Sequence, residues 1–182
     1  MFEEVTGSAA MAFLATRPTM IITTQNESLG LNAGVFGSWT NLSLREIGAA
    51  VSTQSDTYAN MRRTGEFVVN IPGAGLVEKL ALLAEALPPL ESEVERAGLT
   101  QRPPITGQTP SIAECAAAVE FAFSREVEVG HHSFMIGRCR AGWIRGEFRD
   151  NDGRIDIFKA KVVRSFKYPL PLYHLPGEVL EG

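Results

Sequence analysis

Two polar stretches carry the groups best suited to ligand chemistry: Asn32-Ala33-Gly34-Val35-Phe36-Gly37-Ser38-Trp39-Thr40-Asn41 and Ser52-Thr53-Gln54-Ser55-Asp56-Thr57. A phosphate held without a metal needs several N–H and O–H donors and a helix N-terminus. Ser52, Thr53, Gln54, Ser55 and Thr57 offer side-chain donors. A short helix opening near Thr57 would aim its free N–H groups at the same point. Arg62 and Arg63 follow inside that helix as sources of charge. The first stretch suits a flat ring with polar edges. Gly34 and Gly37 admit close backbone approach, and Phe36 and Trp39 can wall such a ring. Both stretches also have plain structural readings, as a Ser/Thr turn before a capped helix and as aromatic residues of a core or interface. Residue chemistry alone leaves these alternatives open.

The surrounding pattern must position these residues. Phe2 to Ala15 reads as a helix or arm, stopped by Pro18. Thr19–Thr24 and Leu31–Phe36 form a hairpin around the turn residues Asn26 to Gly30. Ile47–Val51 is a short buried strand of mostly small residues. Thr57–Thr64 is a helix, capped by Ser55 or Asp56 at its start and by Gly65 after its end. In the strand Glu66–Ile71, Phe67, Val69 and Ile71 share one face, and Val68 and Asn70 share the other. Leu76, Leu80, Leu83 and Leu87 make a helical stripe ended by Pro88, and a second helix runs from Ser92 to Ala97. Arg102 to Pro110 is Pro- and Gly-rich connection. Val119 to Val129 alternates as a strand, Gly130-His131-His132-Ser133 reverses it, and Phe134–Trp143 returns. Proline at 169, 171 and 176 bars the tail from a central strand. The expected architecture is one β-dominated α+β domain over 1–182, a closed or nearly closed barrel with helical insertions and a core of about 15–165, with 166–182 as a tail lying across the body or a partner.

Composition narrows the function classes. A 182-residue chain with 45% hydrophobic and 21% charged residues is ordinary for a globular domain. A net charge of −4 gives no electrostatic case for nucleic acid or an anionic membrane. No apolar run approaches the roughly 18 residues that span a bilayer, and the start lacks a basic secretory signal. Cys115 and Cys139 are too few for a disulfide scaffold and suit a reducing compartment, so a cytoplasmic location is expected. Cys139 shares a face with Met135 and Ala141 and reads as a small core residue. His131 and His132 point to opposite strand faces, and zinc-ligand spacing is missing; no metal is expected. There is no catalytic triad and no Gly-x-Gly-x-x-Gly fingerprint.

The succession Thr23-Thr24, turn, Gly30-x-Asn32-Ala33 and Phe36-Gly37-Ser38-Trp39-Thr40-Asn41-Leu42-Ser43 resembles the flavin reductase-like family with the FMN-binding split-barrel fold. So do Ser52-x-x-x-x-Thr57, Thr64-Gly65-Glu66-Phe67-Val68-Val69-Asn70-Ile71 and the hairpin from Glu128 to Gly137. The pieces come in the family's order over roughly residues 15 to 145. The resemblance implies a mainly β, Greek-key-like split barrel and a homodimer with flavin near its interface. It implies FMN, with FAD as the alternative, and NAD(P)H as transient reductant. Asn32 and Phe36, Gly37, Ser38, Trp39, Thr40 and Asn41 fall where the family holds the flavin ring and ribityl chain. Ser52, Thr53, Gln54, Ser55 and Thr57 fall where it holds the phosphate. His132 matches the hairpin histidine near the flavin or nicotinamide. The usual Asp before that histidine is His131 here, and the usual Ser-x-x-Pro-Pro is Ser43-Leu44-Arg45-Glu46-Ile47, which marks a subset of the family. The implied activity is hydride transfer from NAD(P)H to flavin, with no protein acid–base pair required. The alternatives are an FMN-bearing electron carrier of flavoredoxin type, served by a protein redox partner, and a non-redox ligand-binding member.

Overall fold

The structure is a computed structural model that describes residues 17–28, 30–88, 90–166 and 171–179. The arm expected over Phe2–Ala15 lies outside the described residues. A seven-stranded antiparallel sheet forms the body. Its strands are β2 (Met20–Gln25), β3 (Leu31–Phe36), β4 (Trp39–Asn41), β5 (Glu46–Ser52), β6 (Glu66–Ile71), β9 (Ala117–Val129) and β10 (His132–Ile144). They lie side by side in the order β3-β2-β6-β9-β10-β5-β4. The edge strands β3 and β4 are joined only by Gly37 and Ser38. A sheet whose two edges are sequence neighbours must curl back on itself. Because β3 and β4 do not pair, the resulting barrel is split.

Alternation along the strands builds two apolar clusters. Met20, Ile22, Ile47, Ala49, Val51, Phe67, Val69, Phe121 and Met135 fill the barrel with Met61 of helix α1 (Asp56–Thr64). The rings of Phe67 and Phe121 stack with centroids 5.2 Å apart. A Cβ on Gly137 would stand 2.4 Å from the Phe67 ring, so only glycine fits beneath it. Ile21, Leu31 and Ala33 face the other way, onto Leu80 and Leu83 of α2 (Val77–Leu83) and Val94 of α3 (Glu93–Arg96).

The expected helix reaching Leu87 stops at Leu83, after one 3-10 turn at Ala74–Leu76. Leu76, Leu80 and Leu83 already reach the core, and Pro88 biases the residue before it away from helix. Cys139 is exposed, against the expectation of a core residue. It stands opposite Phe121 in register, but Arg138, Cys139 and Arg140 are all exposed, so this stretch of β10 lies beyond the covered part of the sheet on either face. Cys115 is buried, and burial pushes its thiol well above the ordinary range. The tail contains a strand, β12 (Leu172–His174), that pairs with β11 (Arg164–Phe166), and β11 pairs with β1 (Arg17–Pro18).

The connection between β7 (Gln101–Arg102) and β8 (Ser111–Ile112) is held by two sheet carboxylates. Glu120 accepts from the N–H groups of Ile105, Thr106 and Gly107 and from the Thr106 hydroxyl. Glu66 accepts from the N–H groups of Gln108 and Thr109, from the Thr109 hydroxyl and from Arg140. Burial opposes ionisation of Glu120, but its donors outweigh burial and hold the carboxyl below the usual range. Such a group stabilises fully above its unfolded value of about 4.3 and loses that contribution as pH falls through the lower folded value. Glu120→Gln is expected to cost about 1–3 kcal/mol in urea unfolding at pH 7. The cost should shrink toward pH 3; a constant difference across that range would contradict the clamp.

Candidate functional site

The chain enters α1 through a tight turn whose hydroxyls are mostly engaged by the protein itself. Ser55 is the N-cap: its Oγ accepts from the Tyr58 N–H at 3.3 Å and donates to the Ser52 carbonyl at 2.8 Å. The Ser52 hydroxyl accepts from the Gln54 N–H at 3.3 Å. Thr53 donates from its N–H and its hydroxyl to the His131 carbonyl, at 3.1 and 3.2 Å. Gln54 is exposed. Gly65 takes φ 71° after the last turn and donates to Met61, closing the helix. The first-turn N–H groups of Asp56 and Thr57 have no carbonyl of the helix to bond.

Three separate pieces of sequence meet here. Ser52 lies opposite His132 across β5 and β10. Thr57, buried, donates to Asn32 Oδ1 at 3.1 Å across to β3. Gly34 separates the two walls: a Cβ there would stand 2.8 Å from the Phe36 ring and 3.5 Å from Thr57 Oγ1. Asn32, Phe36, Ser52 to Thr57 and the hairpin histidines therefore border one region. Gly37 and Ser38 continue from Phe36 and receive Arg17, whose guanidinium donates to Ser38 Oγ at 3.1 Å. Trp39 donates from its indole N–H to the Pro18 carbonyl at 2.9 Å and packs on the barrel core. Thr40 and Asn41 are not brought to α1. They are exposed and lie opposite Gly48 and Ile47, farther along β5 from Ser52.

The charge expected from Arg62 and Arg63 is directed elsewhere. Both sit in the last turn of α1. Arg62 approaches Glu126 at 3.6 Å and donates to the Tyr58 hydroxyl. Arg63 donates to the Gln25 carbonyl and the Asn60 side chain. Asp56 places a negative charge in the first turn. Any anion at this helix start therefore depends on N–H groups and dipole, without these arginines. Among the described residues no cluster of His, Cys, Asp and Glu could hold a metal ion.

Glu93 carries no local signal in the sequence. It is buried at the start of α3, and its carboxylate accepts from the Ala33 N–H at 2.9 Å and from Asn32 Nδ2 at 3.1 Å to each oxygen. Burial raises its pKa above the ordinary carboxyl range, and the donors offset this only in part. The neighbouring Ser92 hydroxyl donates to the Leu31 carbonyl at 2.6 Å and accepts from the Glu95 N–H. The start of α3 thus covers the free edge of β3. Ser92-x-x-Glu95 is a visible capping pattern; the long-range contact to β3 has no local signal.

A cleft of about 490 Å³ lies away from this region, lined by Ile71, Val119, Gly142, Trp143 and Arg149 among others. None of the candidate ligand-binding residues borders it. Its lining offers one charged side chain and few other polar groups, a poor match for a ligand with many hydrogen-bonding edges.

A family model for the flavin reductase like domain matches residues 12–178. The chain belongs to this family. An uncharacterized protein of Halalkalibacterium halodurans is 33% identical over 156 residues, covering 77% of this chain and 73% of that protein. One from Methanothermobacter thermautotrophicus is 32% identical over 116 residues, covering 61% of this chain and 55% of its own length. Among solved structures, nitrilotriacetate monooxygenase component B from Bacillus cereus is similar with a TM-score of 0.88 at 24% identity, covering 98% of this chain and 95% of that one. Flavoredoxin of Desulfovibrio vulgaris (Miyazaki F) gives 0.83 at 21% identity, covering 92% and 90%. These two likenesses establish the split-barrel fold. Family membership supports a flavin cofactor and flavin-related oxidoreductase chemistry.

Ser55→Ala removes the N-cap while leaving the other site residues in place. It is expected to lower stability by about 1 kcal/mol in chemical denaturation. A change of a few tenths or less would mean that the turn, and not the cap, holds the start of α1.

Proposed function

We propose that this chain binds FMN beside the start of α1 and serves as an NAD(P)H:flavin oxidoreductase. The observation that carries the reading is the meeting of β3, the Ser52–Thr57 turn and the Gly130–His132 hairpin around one helix N-terminus. The donor set suits such a ligand. First-turn N–H groups of α1 offer themselves to the phosphate, and Gly34, lacking a Cβ, lets the half-buried Phe36 ring pack close beside them. When bound, the flavin supplies the hydride-accepting chemistry.

The protein's own work is to bind, orient and shield. Ser55 fixes the helix start, Thr53 ties the turn to the hairpin, and His132 stands on the strand opposite Ser52. We further propose a homodimer with the flavin near its contact. The exposed Val127 and Val129 at the end of β9 support this, since they set apolar surface beside the same hairpin. Arg17 with Ser38 gives the β3–β4 link a cationic rim suited to a nicotinamide's phosphates.

Purified protein is expected to bind added FMN with the absorbance of oxidised flavin, and NADH or NADPH should bleach it within seconds in stopped flow. FMN binding without bleaching by either nicotinamide would replace the enzyme with an electron carrier reduced by a protein donor. Absence of FMN binding would defeat both.

A further inference from the structure

The buried polar chain behind the proposed flavin site has a direction. An ionised carboxylate only accepts hydrogen bonds. Glu93 faces the Ala33 N–H at 2.9 Å and the Asn32 side chain at 3.1 Å. Asn32 must therefore turn its NH2 toward Glu93 and its Oδ1 away. That oxygen accepts from Thr24 Oγ1 at 2.9 Å and from Thr57 Oγ1 at 3.1 Å. Each hydroxyl has one proton to give, so both protons are engaged. Thr24 completes its bonding by accepting from Asn60 Nδ2 at 3.2 Å. Thr57 is left with acceptor capacity only, buried at the start of α1 beside Gly34 and the Phe36 ring.

A phosphate near neutral pH presents acceptors. Two acceptors do not bond, so the orientation that Glu93 imposes sets Thr57 against the phosphate role that its position in the sequence invites. We infer that Glu93 is a positioning residue that fixes Thr57 as an acceptor, and that Thr57 reads an N–H or O–H of the flavin's ring or ribityl chain. This rests on the flavin reading above. The phosphate is left to the first-turn N–H groups of α1.

Titrations of FMN, riboflavin and lumiflavin against the unmodified chain, Thr57→Val and Thr57→Ser test it, with a circular dichroism melt on each protein. Thr57→Val should weaken FMN and riboflavin by the same factor, about tenfold, while Thr57→Ser stays within about twofold of the unmodified chain. The same loss with lumiflavin puts the donor on the ring; a loss confined to the two ribityl compounds puts it on the ribityl chain, and either upholds the inference. A loss confined to FMN means Thr57 reads the phosphate and overturns it while leaving the flavin reading intact. If the unmodified chain binds none of the three, the flavin reading falls and the inference with it. The role of Glu93 is tested by repeating Thr57→Val in a Glu93→Gln background. There the Asn32 amide is free to turn over, and the effect of Thr57→Val should shrink below about twofold. An unchanged factor would reduce Glu93 to a structural residue. Should Glu93→Gln not fold, the comparison of FMN with riboflavin still decides whether Thr57 is an acceptor.

Discussion

Everything in this molecule follows from the two-residue join between the outermost strands of its main sheet. With only Gly37 and Ser38 between Phe36 and Trp39, the sheet cannot lie flat. Its curl creates an interior, and the interior dictates which positions are apolar. Phe67, Phe121 and Met135 are inward because the sheet closes around them. The close approach of Gly137 to the Phe67 ring is a local expression of the same curvature. The unpaired seam also leaves the edge of β3 in need of cover, which the start of α3 provides through Ser92 and Glu93.

That cover links architecture to chemistry. A carboxylate drawn in to satisfy a strand edge also orders the amide of Asn32, and through it the hydroxyls of Thr24 and Thr57. Buried networks of this kind are stable only when each donor finds an acceptor. Here the ordering passes from an element outside the barrel to the helix start bordering the proposed site. An insertion that looks like packing alone therefore sets how a group more than thirty residues away in sequence is presented.

Local patterns in the sequence carried much of this. Strand alternation from Glu66 to Ile71 and from Val119 onward, the Ser55 and Gly65 caps and the Ser92 helix start are short-range signals, and the structure contains them. The split barrel and the family came from the order of several weak pieces. What escaped was long-range. Cys139 was misplaced because alternation gives a residue's side of a strand and not whether the fold covers that side, and residues 138–140 are exposed on both. Arg62 and Arg63 are inside the right helix but at its far end. Glu93 left no trace, since a buried acid and a surface acid look alike until the fold supplies the neighbours. The hydroxyls of Ser52, Ser55 and Thr57 were legible as a cluster, yet the direction of their protons depends on partners that only the fold brings near.

The loop from Ile105 to Thr109 has a kinetic meaning beyond its role as a connection. Its amides are tied to Glu120 on β9 and Glu66 on β6, strands that pair with each other but are distant in sequence. The two carboxylates stand in the right places only after those strands have joined. The loop is thus a latch that forms late, when the barrel's long-range order is already complete. On unfolding it releases with the β6–β9 pair, so solvent exchange at these few amides follows the opening of the barrel as a whole and not the local motion of an exposed loop.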